Sequence, residues 1–396
     1  MNPARLAILP LLLLATTASA QSAALVPAPP PAQQTPAAAP APLRAAATTA
    51  TPPPAPAPAA PEPAPAAPAH PPQFTGVMPP PAAPDIRNAV PQQLRINIAW
   101  QIALDASDFS PGIIDGHFKR KSLMALKEYA ARFFPGLQPF DPAVYQALHV
   151  DVDNAATAYT ISDDDAMQVG HLSDDWNEMA HMDRLGYESL ADCISEKFHC
   201  TRALLQTLNP ALNLNSLAPG QTLIVPAIRP FPTDNKVLLP KRAVTTASGG
   251  GGGYVSINLA EKTIRVFDKD NNQLALFHCS IARDKNKLPT RDTKVQVIAA
   301  PNPTYTFDPK VWPDVHNVSR ILTIPPGPRN PVGLAWVGLD LPGYGIHGTP
   351  KPELIGQTGS HGCFRLANWD ALKFASLVQI GTPVKIINPD KSAPSE

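Results

Sequence analysis

The 396-residue chain carries no excess of either charge, because 32 Lys and Arg face 32 Asp and Glu. No basic block interrupts that balance, so neither nucleic acid nor an anionic membrane surface is an expected partner. Long apolar runs are missing too. Residues 6–15 form an apolar stretch too short to span a bilayer, and no cysteine follows it, which argues against a lipid anchor there. Cysteine is scarce, with Cys193, Cys200, Cys279 and Cys363 making up all 4. Asp163-Asp164-Asp165 lacks the spaced oxygen ligands and the glycine of a calcium loop, and reads as a solvated helix start.

What is present begins with an export signal over residues 1–20. Arg5 supplies the positive end, residues 6–15 the apolar run, and Ala18-Ser19-Ala20 a cleavage site. The mature chain is therefore expected to start at Gln21, outside the cytoplasm and without a membrane anchor. Residues 21–90 are built mainly from Ala and Pro and hold most of the 50 prolines. Such a stretch cannot bury enough apolar surface to offset the entropy of ordering. It is expected to be a disordered, semi-rigid tether reaching at most about 200 Å; a proline-recognition ligand is the alternative.

Residues 91–150 are helical in pattern. Leu94, Ile98 and Ile102 recur at fours, Leu123, Leu126, Ala130 and Phe133 mark a second stripe, and Asp141-Pro142 reads as an N-cap with proline in the first turn. A Pro111-Gly112 to Asp115-Gly116 turn separates the first two helices. This order resembles the three-helix peptidoglycan-binding domain, although Tyr129-Ala130-Ala131-Arg132-Phe133 departs from its usual Phe-Gln; a helical spacer is the plainer reading. Residues 186–228 carry the stripes Leu190, Ile194, Phe198 and Leu204, Leu205, Leu208, then Asn209-Pro210 and a Pro219-Gly220 turn into a strand from Thr222 to Val225. They resemble a LysM module whose first strand is not evident before Tyr187. Residues 229–253 form a Pro- and Gly-rich linker.

From Tyr254 the period changes to two. Val255, Ile257 and Leu259 alternate, as do Ile264 and Val266, and Asp268 to Asn272 makes the turn of a hairpin into Leu274 to Ile281. A strand from Thr293 to Ala299, a helix after Asn368 and a closing strand from Val384 to Ile387 complete residues 254–390. An antiparallel sandwich or barrel is expected. The segment from Pro301 to Pro342, with Tyr305, Phe307, Trp312 and Trp336, is long for a hairpin connection and either lines the cleft or packs over the sheet edge.

The chemistry concentrates in Tyr344 to Leu366, where His347, His361, Cys363 and Arg365 stand among glycines. A cysteine and a histidine held by backbone that turns tightly suggest an activated thiol nucleophile. His347-Gly348-Thr349, followed by Ser360-His361-Gly362-Cys363 and Arg365, resembles the catalytic signature of the L,D-transpeptidase (YkuD-like) family. The resemblance covers residues 254–389 and extends to Asn368-Trp369-Asp370; Arg291 stands where relatives have the glycine of a Pro-Thr-Gly turn. It implies a mainly-β sandwich catalytic domain preceded by small helical modules. Within it, Cys363 is the nucleophile, His347 the base, His361 a shaper of the site or an aid to the oxyanion, and Arg365 a holder of a substrate carboxylate. Gly348, Ser360 and Gly362 join Arg365 on the substrate side, with backbone N–H groups of Gly362 and Cys363 as oxyanion donors. An imidazolium beside the thiol would lower its pKa.

A zinc site built from His347, His361 and Cys363 lacks a visible fourth ligand or carboxylate. The acyl-transfer chemistry calls for no metal or organic cofactor. Cys279 reads as a buried strand residue, and Cys193 and Cys200 can bridge only if their helix ends between them. The family implies peptidoglycan stem peptides and glycan strands as partners, a monomer, a periplasmic, wall-associated location, and 3-3 crosslinks made through a thioester. An L,D-carboxypeptidase and a non-catalytic wall-binding scaffold are the alternatives.

Overall fold

Helix α1 (Gln92–Ala106) and helix α2 (Arg120–Phe133) follow the two stripes, and each buries its apolar face, with Ile98, Leu104, Ala125 and Leu126 inaccessible. Gln101 fixes the turn between them: its amide accepts from Gly116 N at 2.9 Å and donates to Asp115 Oδ1 at 2.8 Å. Gly116 needs its glycine, because φ is +73° and a Cβ would lie 2.4 Å from Leu94 Cδ1. Helix α3 (Pro142–Ala147) starts as expected, Asp141 Oδ1 accepting from Ala143 N at 2.9 Å. The computed structural model describes residues 90–228, 253–312, 315–357, 359–360 and 362–388. The export signal, the Ala/Pro tether before Val90, the linker before Gly253 and the candidate His361 lie outside the described residues.

Strand β1 (Ala156–Thr160) precedes helices α4 (Asp163–Ala166), α5 (Trp176–His181), α6 (Leu190–Lys197) and α7 (Arg202–Leu208), and pairs antiparallel with β2 (Thr222–Pro226). A strand partner for Thr222–Pro226 therefore exists, well upstream of Tyr187. The solvated-helix reading of Asp163 to Asp165 fails at Asp165. Its carboxylate is fully buried, bonded by Lys197 Nζ at 2.6 Å and Tyr159 OH at 2.5 Å, and it closes a capping box with Ser162. Residues 91–150 and 186–228 are also not separate cores, because Leu104, Phe109, Leu126, Ile194, Leu205 and Val225 belong to one hydrophobic cluster.

The catalytic region builds a sheet from β3 (Tyr254–Asn258), β4 (Thr263–Phe267), β5 (Gln273–His278) and β6 (Thr293–Ala299). A separate hairpin follows, β7 (Tyr305–Phe307) with β8 (Leu322–Ile324). Then come β9 (Trp336–Leu339), β10 (Gly345–His347), β11 (Phe364–Arg365), helix α8 (Asn368–Leu377) and β12 (Pro383–Ile387). The eight-stranded order is β11-β10-β9-β6-β12-β3-β4-β5. The sheet curls until residue 280, just past β5, bridges residue 365 of β11 through two hydrogen bonds, Ser280 N to Arg365 O at 2.9 Å and Arg365 N to Ser280 O at 3.0 Å. This mainly-β domain is mixed rather than antiparallel, since β12 runs parallel to β3 and β10 parallel to β11.

Helix α8 lies between the sheet and the helical region. Its Phe374 packs edge-on against Phe277 of β5, while Trp369 stacks on His199 at 4.5 Å. Residues 108–110 run beside β5, with Ser110 N donating to Leu276 O at 2.8 Å and Leu276 N to Asp108 O at 3.0 Å, which covers an edge that would otherwise be open. Glu128 receives both Arg265 Nε at 3.0 Å and Nη2 at 2.6 Å. The helical region is thus docked on the sheet, contrary to the picture of modules separated by linkers.

Candidate active site

Strand β10 carries His347 between two neighbours. It pairs antiparallel with β9 (His347 opposite Trp336) and parallel with β11 (Ile346 opposite Phe364, His347 opposite Arg365). Ile346 and Phe364 are buried in the sheet core. Alternation then turns Gly345, His347, Cys363 and Arg365 to the other face. This register puts the thiol, the imidazole and the guanidinium on one side of two adjacent strands.

His347 Nδ1 lies 2.6 Å from Gly348 O. A carbonyl can only accept, so Nδ1 carries the hydrogen and Nε2 is left as the basic nitrogen. Burial pushes the imidazole pKa down to about 4, the Gly348 carbonyl opposing and the Arg365 charge adding to the fall. The Cys363 thiol donates to Gly343 O at 3.4 Å. Its residue is only partly covered, yet burial of the sulfur pushes its pKa up to about 11 against the pull of the Gly345 backbone and Arg365. Each shift favours the neutral form, a thiol beside a neutral imidazole, because both charged forms lose more by desolvation than the site returns.

Ser360 acts within the turn. Its hydroxyl accepts from Gly362 N at 3.2 Å and donates to the Cys363 carbonyl, and its residue is buried. The Gly362 N–H is therefore already engaged and is not an open oxyanion donor. The Cys363 N–H has no hydrogen-bond partner among the described residues. Gly348 gives its N–H to Ala335 O at 3.1 Å, and a Cβ there would sit 2.2 Å from Asn368 Oδ1. Asn368 is wholly buried; its oxygen accepts from Leu334 N at 3.1 Å, and its Nδ2 donates to Glu196 Oε1 at 2.7 Å and Pro328 O at 3.1 Å. It props the turn behind His347 from below.

Trp336 lies against Gly345, where a Cβ would come within 2.5 Å of the indole ring, and its ring centroid is 5.5 Å from that of His347. Tyr305 of β7 accepts from Trp312 Nε1 at 3.0 Å, and a Cys363 thiolate would raise its phenol pKa further beyond the effect of burial. The segment from Pro301 to Pro342 thus contributes to the site through Tyr305 and Trp336. Its hairpin also packs elsewhere, Phe307 stacking on Trp176 of α5 at 4.2 Å. Arg365 donates Nη1 to Gly359 O at 3.4 Å and lines a cavity of about 240 Å³ with Ser280, Arg329, Thr349 and Lys351. Arg329 and Glu196 carried no signal in the sequence, and Asn368 only its place in the Asn-Trp-Asp motif. All four cysteines are free thiols.

Residues 252–386 match the model of the L,D-transpeptidase catalytic domain. Over 195 residues, 49% of this chain and 92% of the relative, the sequence is 29% identical to a putative L,D-transpeptidase of Bacillus licheniformis. It is 26% identical over 178 residues to a probable L,D-transpeptidase of Escherichia coli, a match covering 44% of this chain and 55% of the relative. Among solved structures, an L,D-transpeptidase from Mycobacterium smegmatis aligns with a TM-score of 0.29 at 18% identity, over 35% of this chain and 60% of that chain.

Proposed function

We propose that the protein is a cysteine-dependent acyltransferase, a peptidoglycan L,D-transpeptidase that joins stem peptides by 3-3 crosslinks. The observation that carries this reading is the pairing of β10 and β11, which sets Cys363 and His347 on one face with Nε2 left as the base. The match over residues 252–386 supports the same reading.

His347 Nε2 takes the thiol proton as Cys363 Sγ attacks the carbonyl of the third stem residue. The developing oxyanion is met by the Cys363 N–H. Collapse breaks the C–N bond, and the imidazolium returns its proton to the departing amine of the terminal D-residue. An amine of a second stem then attacks the thioester, His347 accepts its proton, and the proton passes to the leaving sulfur. Because the thiol starts protonated, transfer to His347 accompanies attack rather than preceding it. Ser360 holds the nucleophile turn.

Export to the periplasm and association with the wall follow from substrate location. Among the described residues no helix is long and apolar enough to cross a membrane. Glycan binding by the helical region rests on the sequence resemblance and on β1 and β2 pairing around α6 and α7. Sedimentation of the Cys363→Ala protein with purified peptidoglycan tests it. The enzymatic reading is tested by incubating the full-length protein with tetrapeptide-bearing muropeptides and resolving the products by mass. Crosslinked dimers that have lost one terminal residue are expected, and none with Cys363→Ala. Trimmed tripeptides alone would make the protein a carboxypeptidase, and unchanged material would make it a scaffold.

A further inference from the structure

The cavity beside the thiol and imidazole is lined by three cations, Arg329, Lys351 and Arg365, together with Ser280 and Thr349. Among the described residues neither Lys351 nor Arg365 has a carboxylate partner. Arg329 has one, Glu196, whose Oε2 accepts from Nη1 at 2.9 Å. Glu196 comes from α6 of the helical region, and its side chain is only 2% exposed. The cavity therefore holds more positive charge than the described carboxylates neutralise, and one of its walls, Arg365, is close enough for its charge to act on both Cys363 and His347.

We infer that Arg329 is a specificity-determining residue that receives a carboxylate of the donor stem, with Glu196 as the positioning residue that sets its guanidinium; this rests on the L,D-transpeptidase reading. A guanidinium has five N–H donors in a planar fork suited to a carboxylate. Here only Nη1 meets a protein acceptor among the described residues. The guanidinium is held twice, by the Glu196 pair and by the Tyr187 ring, with the guanidinium carbon 4.8 Å from its centroid. The backbone bond from Arg329 N to Leu185 O at 3.1 Å holds the segment that carries it. Leu185, Tyr187 and Glu196 all belong to the helical region, so residues outside the catalytic domain shape its substrate cavity. Glu196 also holds Asn368, which tops the same anchor by propping the Gly348 turn. One buried carboxylate thus ties the base strand and the cavity wall together.

The carboxylate has two possible sources on a tetrapeptide stem: the side chain of a diaminodicarboxylic third residue, or the terminus of the leaving residue. Three soluble tetrapeptides separate them: the parent, its third-residue side-chain amide, and its C-terminal amide. Release of the terminal residue by the full-length protein gives kcat and KM for each. Amidating the group that Arg329 meets is expected to lower kcat/KM about 10- to 100-fold, mostly through KM; the amide that suffers identifies the source. Arg329→Lys keeps the ion pair and loses the fork. The double variant Arg329→Gln/Glu196→Gln replaces the buried pair by neutral amides, so a folding failure in one variant leaves the other. Either is expected to bring the carboxylate-to-amide ratio close to 1. A wild type indifferent to both amides, or a preference that survives in both variants, overturns the inference. Isothermal titration of the parent and amide stems into Cys363→Ala, with and without Arg329→Lys, reads the same preference without turnover. Carboxylate-dependent binding there supports the inference even if the crosslinking reading fails, and equal binding of all three stems overturns it.

Discussion

His347 and Cys363 illustrate how much chemistry a short motif can announce and how much it leaves out. Their identities follow from the His-Gly-Thr and Ser-His-Gly-Cys segments, whereas the tautomer is read from the Gly348 carbonyl contact. Their resting protonation does not follow from the segments either, because it depends on burial contributed by strands distant in sequence. With the thiol near 11 and the imidazole near 4, iodoacetamide alkylation of Cys363 should accelerate about tenfold per pH unit from 7 to 10, following the thiolate fraction. A rate already level between pH 6 and 8 would mean a preformed ion pair. On the same grounds His347→Ala should leave that titration nearly unmoved, since a neutral imidazole does not hold the thiol down. It should still cut turnover by about 10²–10⁴, the loss typical of a missing general base. Folding is checked by circular dichroism in each case.

Among the elements, strands β3 to β6 and β12 and the first three helices were legible, because periods of two and of 3.6 are written in Val255, Ile257, Ile264 and Val266 and in Leu94, Ile98 and Leu126, whereas β7 to β11 carry no such period. Strand β1 was not legible either. Ala156–Thr160 is a short edge segment whose partner lies at Thr222–Pro226, and only that distant pairing makes it a strand. The parallel pairing of β10 with β11 was equally hidden, although it builds the site. The glycine of β10 is a consequence of Trp336. A side chain at Gly345 would meet the indole ring at 2.5 Å, so Gly345→Ala should shift Trp336 toward His347. Overpacking of this kind costs about 1–3 kcal/mol. The expected result is a lower melting temperature together with a fall in turnover larger than that of Val297→Ala, a change at an exposed position on β6, two strands away from β10. A Gly345→Ala protein as active and as stable as wild type would mean that the indole is free to move.

At the scale of the molecule, a Pro- and Gly-rich linker over residues 229–253 would let the catalytic region stand alone, and the docking of the helical region on the sheet argues otherwise. Residues 254–396 by themselves would expose Leu276 and Trp369 and strip Arg329 and Lys373 of Glu196 and Asp105. Unpaired buried charges cost more than the pairs contribute. That fragment should be poorly folded by circular dichroism, and the full chain should melt its helical and sheet regions in one transition; an active, cooperatively melting fragment would refute the coupling. The same interface makes stability depend on pH. Lys373 and His199 are both drawn to Asp105, which holds that carboxyl well below the usual range despite its burial. Asp370, on the facing turn of α8, is left with Ser110 Oγ at 2.9 Å, and burial pushes its pKa up to about 7, Lys373 opposing and the Asp105 charge adding to the rise. A folded pKa above the unfolded value of about 3.9 means that Asp370 supports folding in its protonated form. That contribution is complete below pH 4 and is lost as pH rises to 7, by an amount on the order of a few kcal/mol. Asp370→Asn keeps the acceptor for Ser110 and removes the titration. Its melting temperature should therefore gain on wild type steadily between pH 4 and 7 and run parallel to it above. Curves that stay parallel throughout would show that Asp370 is ionised in the folded protein and that Lys373 serves both carboxylates.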